Sequence, residues 1–311
     1  MSRTRIAVFG VGYMGNFHAQ KFAAIADAEL IAVADADATR AAEVAAQLNC
    51  EHTADYRTLL PRIDAACVAV PTERHHEVVR ACLEAGVHVL VEKPLARTLE
   101  EADEMLALAR AKGKVLQVGH LQRFNPAFEA LAADAAKPLF IDIERLAPFK
   151  ARGTDVDVIL DLMIHDLDLA LALARAPIEQ VSAAGFRVLT GAIDIANARL
   201  EFADGAIASL SASRVSQAPV RKLRVFRRDG YVSADLQGQK LRFVRRGSDG
   251  SIEQMEQSFE RRDELQAQAE AFVRAVRGGA APQASGEQGR QVLALALQVA
   301  RLVDERLARH G

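Results

Sequence analysis

The sequence predicts an α/β fold in which an N-terminal doubly wound parallel sheet precedes a C-terminal α+β domain with an open, largely antiparallel sheet. Helical stretches alternate with five short apolar runs, which are Arg5–Phe9, Glu29–Ala34, Asp64–Val70, Val87–Val91 and Val115–Val118. Strands covered by helices on both faces appear as such continuous runs, so the alternation predicts a parallel sheet. From Ile178 to Val244 the apolar residues recur at every second position, which predicts antiparallel strands.

The pattern changes after about Gln122, and we therefore expect one domain over residues 1–122 and a second over residues 123–311. Periodicity predicts three long helices in the second part, at about Val156–Arg175, Arg262–Val276 and Glu287–Arg309. Ser285 and Gln288 have the spacing of a capping box, which predicts that the last helix begins there.

Composition excludes several classes of protein. The 311 residues include 39 Lys and Arg against 41 Asp and Glu, and half are hydrophobic, so neither global disorder nor a general nucleic-acid binder is expected. No apolar run approaches the roughly 18 residues of a membrane span, and the first residues do not resemble a secretory signal. Three cysteines without C-x-x-C spacing favour neither disulfides nor zinc, and they are typical of a reducing cytoplasm.

A glycine-rich turn follows the first apolar run directly and precedes a helical stretch. Gly10 allows a tight turn, Gly12 leaves room for a pyrophosphate, and Gly15 lets the helix approach the strand. Asp35 lies 20 residues beyond Gly15, where a carboxylate accepts hydrogen bonds from a ribose hydroxyl and repels a 2′-phosphate. This arrangement predicts a dinucleotide-binding Rossmann domain that prefers NAD, while the nearby Arg40 keeps NADP as the alternative.

A polar stripe lies on the apolar helix predicted near Val156–Arg175. In a regular helix Asp161, His165 and Asp168 fall within a 60° arc, because each residue advances by about 100°. One interpretation is a satisfied cluster in the core, and another is part of a metal site that lacks further recognisable ligands. The third is a histidine general acid/base oriented by a carboxylate.

The turn Glu92-Lys93-Pro94 follows the fourth predicted strand of the parallel sheet. Ligands bind at this edge of a doubly wound sheet, so Lys93 is placed to act as a cationic donor. A lysine before a surface loop is the alternative interpretation of this motif.

Together these features resemble the glucose-fructose oxidoreductase/inositol dehydrogenase family, abbreviated Gfo/Idh/MocA. Besides the glycine turn and Asp35, the resemblance is carried by His18, Pro71-Thr72 with His75, Gly86 to Leu95, Gly119, Arg123-Phe124-Asn125-Pro126, Asp161-x-x-x-His165-x-x-Asp168 and Ser285-Gly286. It implies an NAD(P)-dependent dehydrogenase of sugars, cyclitols or related polyols. It also implies a homodimer or homotetramer formed through the C-terminal sheet.

The resemblance implies roles for individual residues. Lys93, Asp161 and His165 match catalytic positions. The expected cofactor-binding residues are Gly10, Gly12, Tyr13, Met14, Gly15, Asp35, Pro71, Thr72, His75, Glu92 and Lys93. The candidate substrate-binding residues are His120, Gln122, Arg123, Arg145, Arg152, Asp161 and His165. No metal is expected.

A narrower resemblance concerns residues 144–166, which are similar to the branch that includes UDP-N-acetylglucosamine 3-dehydrogenases of lipid A amino-sugar synthesis. Residues 214–246 contain ten Lys and Arg against two Asp, a local excess of +8. Either this basic block is a solvated sheet face or an oligomer contact, or some of its arginines bind the diphosphate of a nucleotide sugar.

The expected reaction is oxidation of a secondary hydroxyl by hydride transfer to NAD, with the 3-hydroxyl of UDP-N-acetylglucosamine as the leading candidate. His165 would accept the proton, Asp161 would orient His165, and Lys93 would hydrogen-bond the reacting oxygen or act as the base itself. The alternatives are a dehydrogenase of a free sugar or inositol, an NADP-linked reductase, and a non-catalytic NAD-dependent regulator. A small anionic sugar is the expected partner, with neither nucleic acid nor a membrane.

Overall fold

The computed structural model describes residues 2–134, 136–150 and 156–310. The chain divides into two compact units. The first comprises Met1–Leu121 and Asp263–Leu293, and the second comprises Gln122–Arg262 and Ala294–Gly311. No helix in the described ranges is both long enough and apolar enough to cross a membrane.

The first unit is built on a six-stranded parallel sheet. Its strands are β1 (Thr4–Phe9), β2 (Ala28–Ala34), β3 (Glu51–Thr53), β4 (Ala65–Val68), β5 (His88–Val91) and β6 (Leu116–Val118). Their order is β3-β2-β1-β4-β5-β6, which reverses direction between β1 and β4. In such sheets the reversal opens a crevice at the carboxyl ends of the strands, where ligands bind.

The second unit contains an eight-stranded sheet. Its strands are β7 (Phe140–Leu146), β8 (Ile178–Phe186), β9 (Ile195–Phe202), β10 (Ile207–Ser213), β11 (Val220–Phe226), β12 (Gly230–Asp235), β13 (Lys240–Arg246) and β14 (Ile252–Ser258). The order is β14-β13-β12-β11-β7-β10-β9-β8, and β7 and β10 are the one parallel pair among these strands. Both sheets confirm the predicted fold class.

Eight α-helices accompany the strands in the described part of the chain. They are α1 (Tyr13–Ala24), α2 (Ala38–Leu48), α3 (His75–Glu84), α4 (Leu99–Lys112), α5 (Pro126–Ala133), α6 (Ile164–Ala174), α7 (Glu264–Val276) and α8 (Gly286–His310). The capping box predicted for the last helix is confirmed. The Gln288 amide side chain accepts from the Ser285 N–H at 3.0 Å, and the Gln288 N–H donates to the Ser285 hydroxyl at 3.3 Å.

Helix α7 packs with the first unit, which differs from the division predicted at residues 122 and 123. Phe272 of α7 is fully buried, and its ring meets that of Phe22 in α1 edge to face at 6.3 Å between centroids. Lys21 and Asp263 form an ion pair at 2.7 Å beside this contact. The amphipathic helix therefore covers α1, and a boundary drawn from chain order alone misses this return.

We predict that Phe272→Ala lowers the free energy of unfolding by about 3–5 kcal/mol, because it leaves a cavity against Phe22. Urea denaturation of the whole chain measures the change. Met255→Ala on β14 is the matched control: that side chain is exposed, so a change within about 0.5 kcal/mol is expected. Equal effects of the two substitutions would contradict the packing described for α7.

Candidate active site

The glycine turn joins β1 to α1 through a close approach of the backbone. Gly10 has φ +81°, and a Cβ there would lie 2.7 Å from the Ala69 carbonyl oxygen. A Cβ on Gly15 would lie 1.8 Å from the Gly10 carbonyl oxygen. At Gly12, by contrast, a Cβ would meet no atom within 4 Å. Two glycines are therefore needed for the fold of the turn, and the third leaves open space above it.

Asp35 follows β2 and faces the same turn. Its carboxylate accepts the Val11 N–H at 2.8 Å and the Asp37 N–H at 2.9 Å. The Arg40 guanidinium lies 3.5 Å from the Asp35 carboxylate and 3.2 Å from that of Asp37. The acidic side chain is thus held at the glycine turn, where the sequence predicts a ribose contact, and the neighbouring arginine is shared between two carboxylates.

A cavity of about 550 Å³ opens at this edge of the first unit. Of the predicted cofactor-binding residues, Gly10, Gly12, Met14, Asp35 and Pro71 line it. The open space at Gly12, the N-terminus of α1 and the adjacent carboxylate suit a pyrophosphate and an adenosine ribose. The residues present therefore fit NAD.

Tyr56 and Arg74 are among the residues that line the same cavity but were not predicted from the sequence. Tyr56 lies in a 3₁₀ turn after β3, where its ring packs at 5.2 Å from that of Phe9, and Arg74 ends the short 3₁₀ turn that begins at Thr72. No motif marks either position. The nearest signal for Arg74 is its place three residues after Pro71.

His75 and Tyr13 differ in burial. His75 is buried, and its two ring nitrogens lie 2.9 Å from the Pro94 carbonyl oxygen and 3.0 Å from that of Val70. Burial lowers the pKa of His75 although these carbonyls oppose the shift. Its ring joins the turns that follow β4 and β5. Tyr13 is exposed and rests edge-on against Phe17, outside the lining of the cavity.

The Glu92-Lys93-Pro94 turn follows β5, with a cis peptide bond between Lys93 and Pro94. The Glu92 carboxylate lies 2.7 Å from the His18 ring of α1 and accepts the Lys93 N–H at 3.1 Å. His120 is buried two residues after β6. The turn therefore places the predicted catalytic lysine beside a largely buried carboxylate.

In the second unit, the helix that carries Asp161 and His165 begins with a π-helical turn at Ile159–Met163. Asp161 lies in this turn and His165 in the first turn of α6, and both are partly buried. Such wide turns recur at functional sites and alter the angular spacing of side chains. The predicted 60° arc assumes a regular α-helix, which holds for His165 and Asp168 within α6 but not for Asp161 in the π-helical turn.

Two buried ion pairs anchor α6. Arg123 donates to both oxygens of Asp168 at 2.7–3.1 Å, and Arg145 of β7 donates to both oxygens of Asp166 at 2.7–3.0 Å. Burial raises the pKa of Asp166 although the Arg145 guanidinium opposes the shift. Arg123 and Arg145, predicted as substrate contacts, thus have bidentate partners within the protein. Gln122 is buried in the same 3₁₀ turn as Arg123.

The candidate substrate residue Arg152 lies outside the described residues. Nothing in the described ranges forms a group of three or more His, Cys, Asp or Glu that could hold a metal ion.

Many cations of the basic block between residues 214 and 246 have partners on neighbouring elements. Arg214 donates to the Val156 carbonyl, and Arg224 donates to the Asp142 carboxylate. The other ion pairs join Arg227 to Asp134, Lys240 to Glu256 and Arg245 to Glu253. This arrangement favours a charge-balanced sheet over a surface dedicated to phosphate.

In comparisons with known proteins, separate family models match the N-terminal part of the chain and part of the second unit. The model of an oxidoreductase family with an NAD-binding Rossmann fold matches residues 4–120. The model of the Gfo/Idh/MocA C-terminal domain matches residues 144–233. The chain belongs to the Gfo/Idh/MocA family. The resemblance stated from the sequence is confirmed, and the protein is an NAD-dependent oxidoreductase.

Two relatives within the Gfo/Idh/MocA family match this protein over nearly its whole length. It is 41% identical to UDP-N-acetylglucosamine 3-dehydrogenase of Acidithiobacillus ferrooxidans, over 99% of this chain and 100% of the relative. A solved structure of that enzyme superposes with a TM-score of 0.93, covering 98% of this chain and 99% of the other. Myo-inositol 2-dehydrogenase of Thermotoga maritima is 28% identical over 97% of both chains.

We predict that Gly12→Val abolishes NAD binding without destabilising the protein. Its backbone has φ −65°, and a Cβ there meets only open space, so the melting temperature without ligand is unchanged. NAD at about 100 times its Kd stabilises the wild type by about 2.7 kcal/mol, and this gain disappears in the variant. Gly15→Val is the matched contrast and lowers the melting temperature without NAD. An NAD-dependent rise in Gly12→Val equal to that of wild type would refute the location of the cofactor.

Proposed function

We propose that the protein oxidises the 3-hydroxyl of UDP-N-acetylglucosamine to a ketone. The observation that carries this proposal is the 41% identity, over essentially the whole of both chains, to a relative named for that reaction. The inositol dehydrogenase relative is similar over a comparable length but only at 28% identity. The narrower resemblance around residues 144–166 supports the same substrate and points to lipid A amino-sugar synthesis as its setting.

His165 serves as the base in this proposal. A partly buried imidazole near neutral pH accepts the proton of the hydroxyl as the C–O bond becomes a carbonyl. Asp161, one turn earlier in the π-helical segment, orients the ring and stabilises its cation. The ion pairs of Asp166 and Asp168 hold α6, so that His165 keeps a defined position.

Lys93 binds the reacting oxygen. Its ammonium donates a hydrogen bond that offsets the negative charge developing on that oxygen, or takes the proton directly in place of His165. When bound, NAD supplies the two-electron acceptor that the oxidation requires. The cavity beside Asp35 holds its adenosine half, and a 2′-phosphate there would face the carboxylate of that residue.

A non-catalytic regulator on the same fold is disfavoured because Lys93 and His165 are both present.

We further propose a homodimer or homotetramer formed through the eight-stranded sheet. A row of aromatic rings on this sheet supports it: Phe226 lies 5.9 Å from Phe140 and 5.3 Å from Tyr231, between centroids. Three free thiols support a cytoplasmic location.

We predict that His165→Ala and Lys93→Met each lower turnover of UDP-N-acetylglucosamine by about 10²–10⁴-fold, the usual contribution of acid–base help. His52→Ala, an exposed histidine of β3, is the control and retains wild-type turnover. Initial rates of NAD reduction measure the effect, with NADP, free N-acetylglucosamine and myo-inositol assayed in parallel. Near wild-type turnover in both site variants would overturn the assignment. Activity on myo-inositol alone would show that an inositol, and not UDP-N-acetylglucosamine, is the substrate.

A further inference from the structure

In the first unit, two hydrogen bonds connect the His18 ring, the Glu92 carboxylate and the Lys93 main-chain N–H. The Nε2 atom of His18 donates to Glu92 at 2.7 Å, and the other Glu92 carboxylate oxygen accepts the Lys93 N–H at 3.1 Å. The His18 side chain is 1% exposed and that of Glu92 is 14% exposed. Neither group belongs to the surface ion pairs that are common on this unit.

The fold leaves space for the Glu92 carboxylate. Gly119, directly after β6, would place a Cβ 3.0 Å from the carboxylate carbon and from one of its oxygens. Any other residue at that position would press on Glu92. The carboxylate is thus enclosed by α1, by its own turn and by the end of β6, and a buried anion needs a fixed partner to offset its desolvation.

Electrostatics keep both members charged. Burial opposes the cationic form of His18, but the interactions with Cys67 and with the Glu92 carboxylate outweigh it and raise the pKa of His18 to about 10. Burial likewise opposes ionisation of Glu92, but the hydrogen bond and charge of His18 and the charge of Lys93 lower its pKa. His75 of α3 also faces Glu92, whose charge acts on it. In the described part of the chain, the groups coupled to this pair include Cys67, which acts on His18, and Lys93 and His75, which interact with Glu92.

We propose that His18 is a positioning residue for Lys93, which acts by holding the Glu92 carboxylate where it accepts the Lys93 main-chain N–H. This inference rests on the proposed role of Lys93 in the reaction. Because His18 is fully enclosed, it touches neither substrate nor cofactor directly, and its effect passes through Glu92. Without the imidazolium, the carboxylate turns toward the Lys93 ammonium or becomes protonated, and the orientation of the turn is lost.

Kinetics of His18→Gln test the proposal. Its kcat falls about 10–100-fold, the scale of a small misplacement of a reacting group, while KM for NAD changes much less. Loss of the countercharge lets burial raise the pKa of Glu92, so the kcat profile gains an acid limb. The double variant His18→Gln/Glu92→Gln lacks that limb, since the amide that replaces the carboxylate still accepts the Lys93 N–H and does not ionise.

The matched control is His76→Gln. His76 of α3 also pairs with a carboxylate, that of Glu104 at 2.8 Å, but on the surface of the same unit. Its loss leaves kcat, KM and the pH profile as in wild type.

A second measurement needs neither substrate nor turnover. In protein labelled with ¹⁵N-histidine, one ring remains an imidazolium at about pH 9. Its signal disappears in His18→Gln and titrates at lower pH in Glu92→Gln.

The pKa of His18 is higher in the folded protein than in the unfolded chain, so protonation of His18 stabilises the fold. This contribution is complete below about pH 6.5 and is lost as the pH rises to about 10. The melting-temperature difference between wild type and His18→Gln therefore shrinks over that range.

The outcomes separate this inference from the proposed function. If Lys93→Met retains turnover, the role of Lys93 fails, and the positioning proposal falls with it even if the imidazolium signal is present. If Lys93→Met loses turnover while His18→Gln keeps the wild-type kcat and pH profile, the positioning role alone is overturned. Should His18→Gln fail to fold, Glu92→Ala decides, because alanine removes the acceptor of the Lys93 N–H: a wild-type kcat in that variant contradicts the proposal.

Discussion

The close approach of the backbone at Gly10 and Gly15 is the constraint on which the rest of the cofactor site depends. It lets α1 begin directly above the end of β1, beside the strand reversal between β1 and β4. From that position the N–H of Val11 reaches the Asp35 carboxylate, and the open space at Gly12 faces the cavity. The same helix carries His18 to the Glu92 carboxylate, so one tight turn organises both the cavity beside Asp35 and the Lys93 turn.

In the second unit, a partly buried histidine, His165, lies on the largely apolar helix α6. Asp166 and Asp168 face arginines with bidentate geometry on either side of α6, and so the helix is fixed by charges that satisfy one another. The basic block is balanced in a similar way by acidic partners, such as Asp142 for Arg224. The local excess of positive charge is consequently a property of the sheet and does not by itself mark an anion site.

Sequence patterns predicted what depends on burial and on local chemistry, namely the apolar strands, the glycine turn and the capping box at Ser285. They missed β3 and β14, because these strands are largely exposed and carry no apolar alternation. The return of α7 to the first unit depends on a contact between Phe22 and Phe272 that no local pattern encodes. The π-helical turn at Asp161 was also invisible, since periodicity assumes regular helix geometry. The buried ion pair of Arg145 with Asp166 was likewise not predicted, because the two residues lie 21 positions apart in the sequence.

The proposed reaction of this Gfo/Idh/MocA protein removes a hydride from the sugar carbon that bears the 3-hydroxyl. The decisive experiment is mass spectrometry of the reduced cofactor formed from NAD and UDP-N-acetylglucosamine deuterated at that carbon. We expect the reduced NAD to carry the deuterium and the sugar product to have lost it. Reduced NAD without deuterium, or no reduction with this sugar while an inositol is oxidised, would refute this reaction.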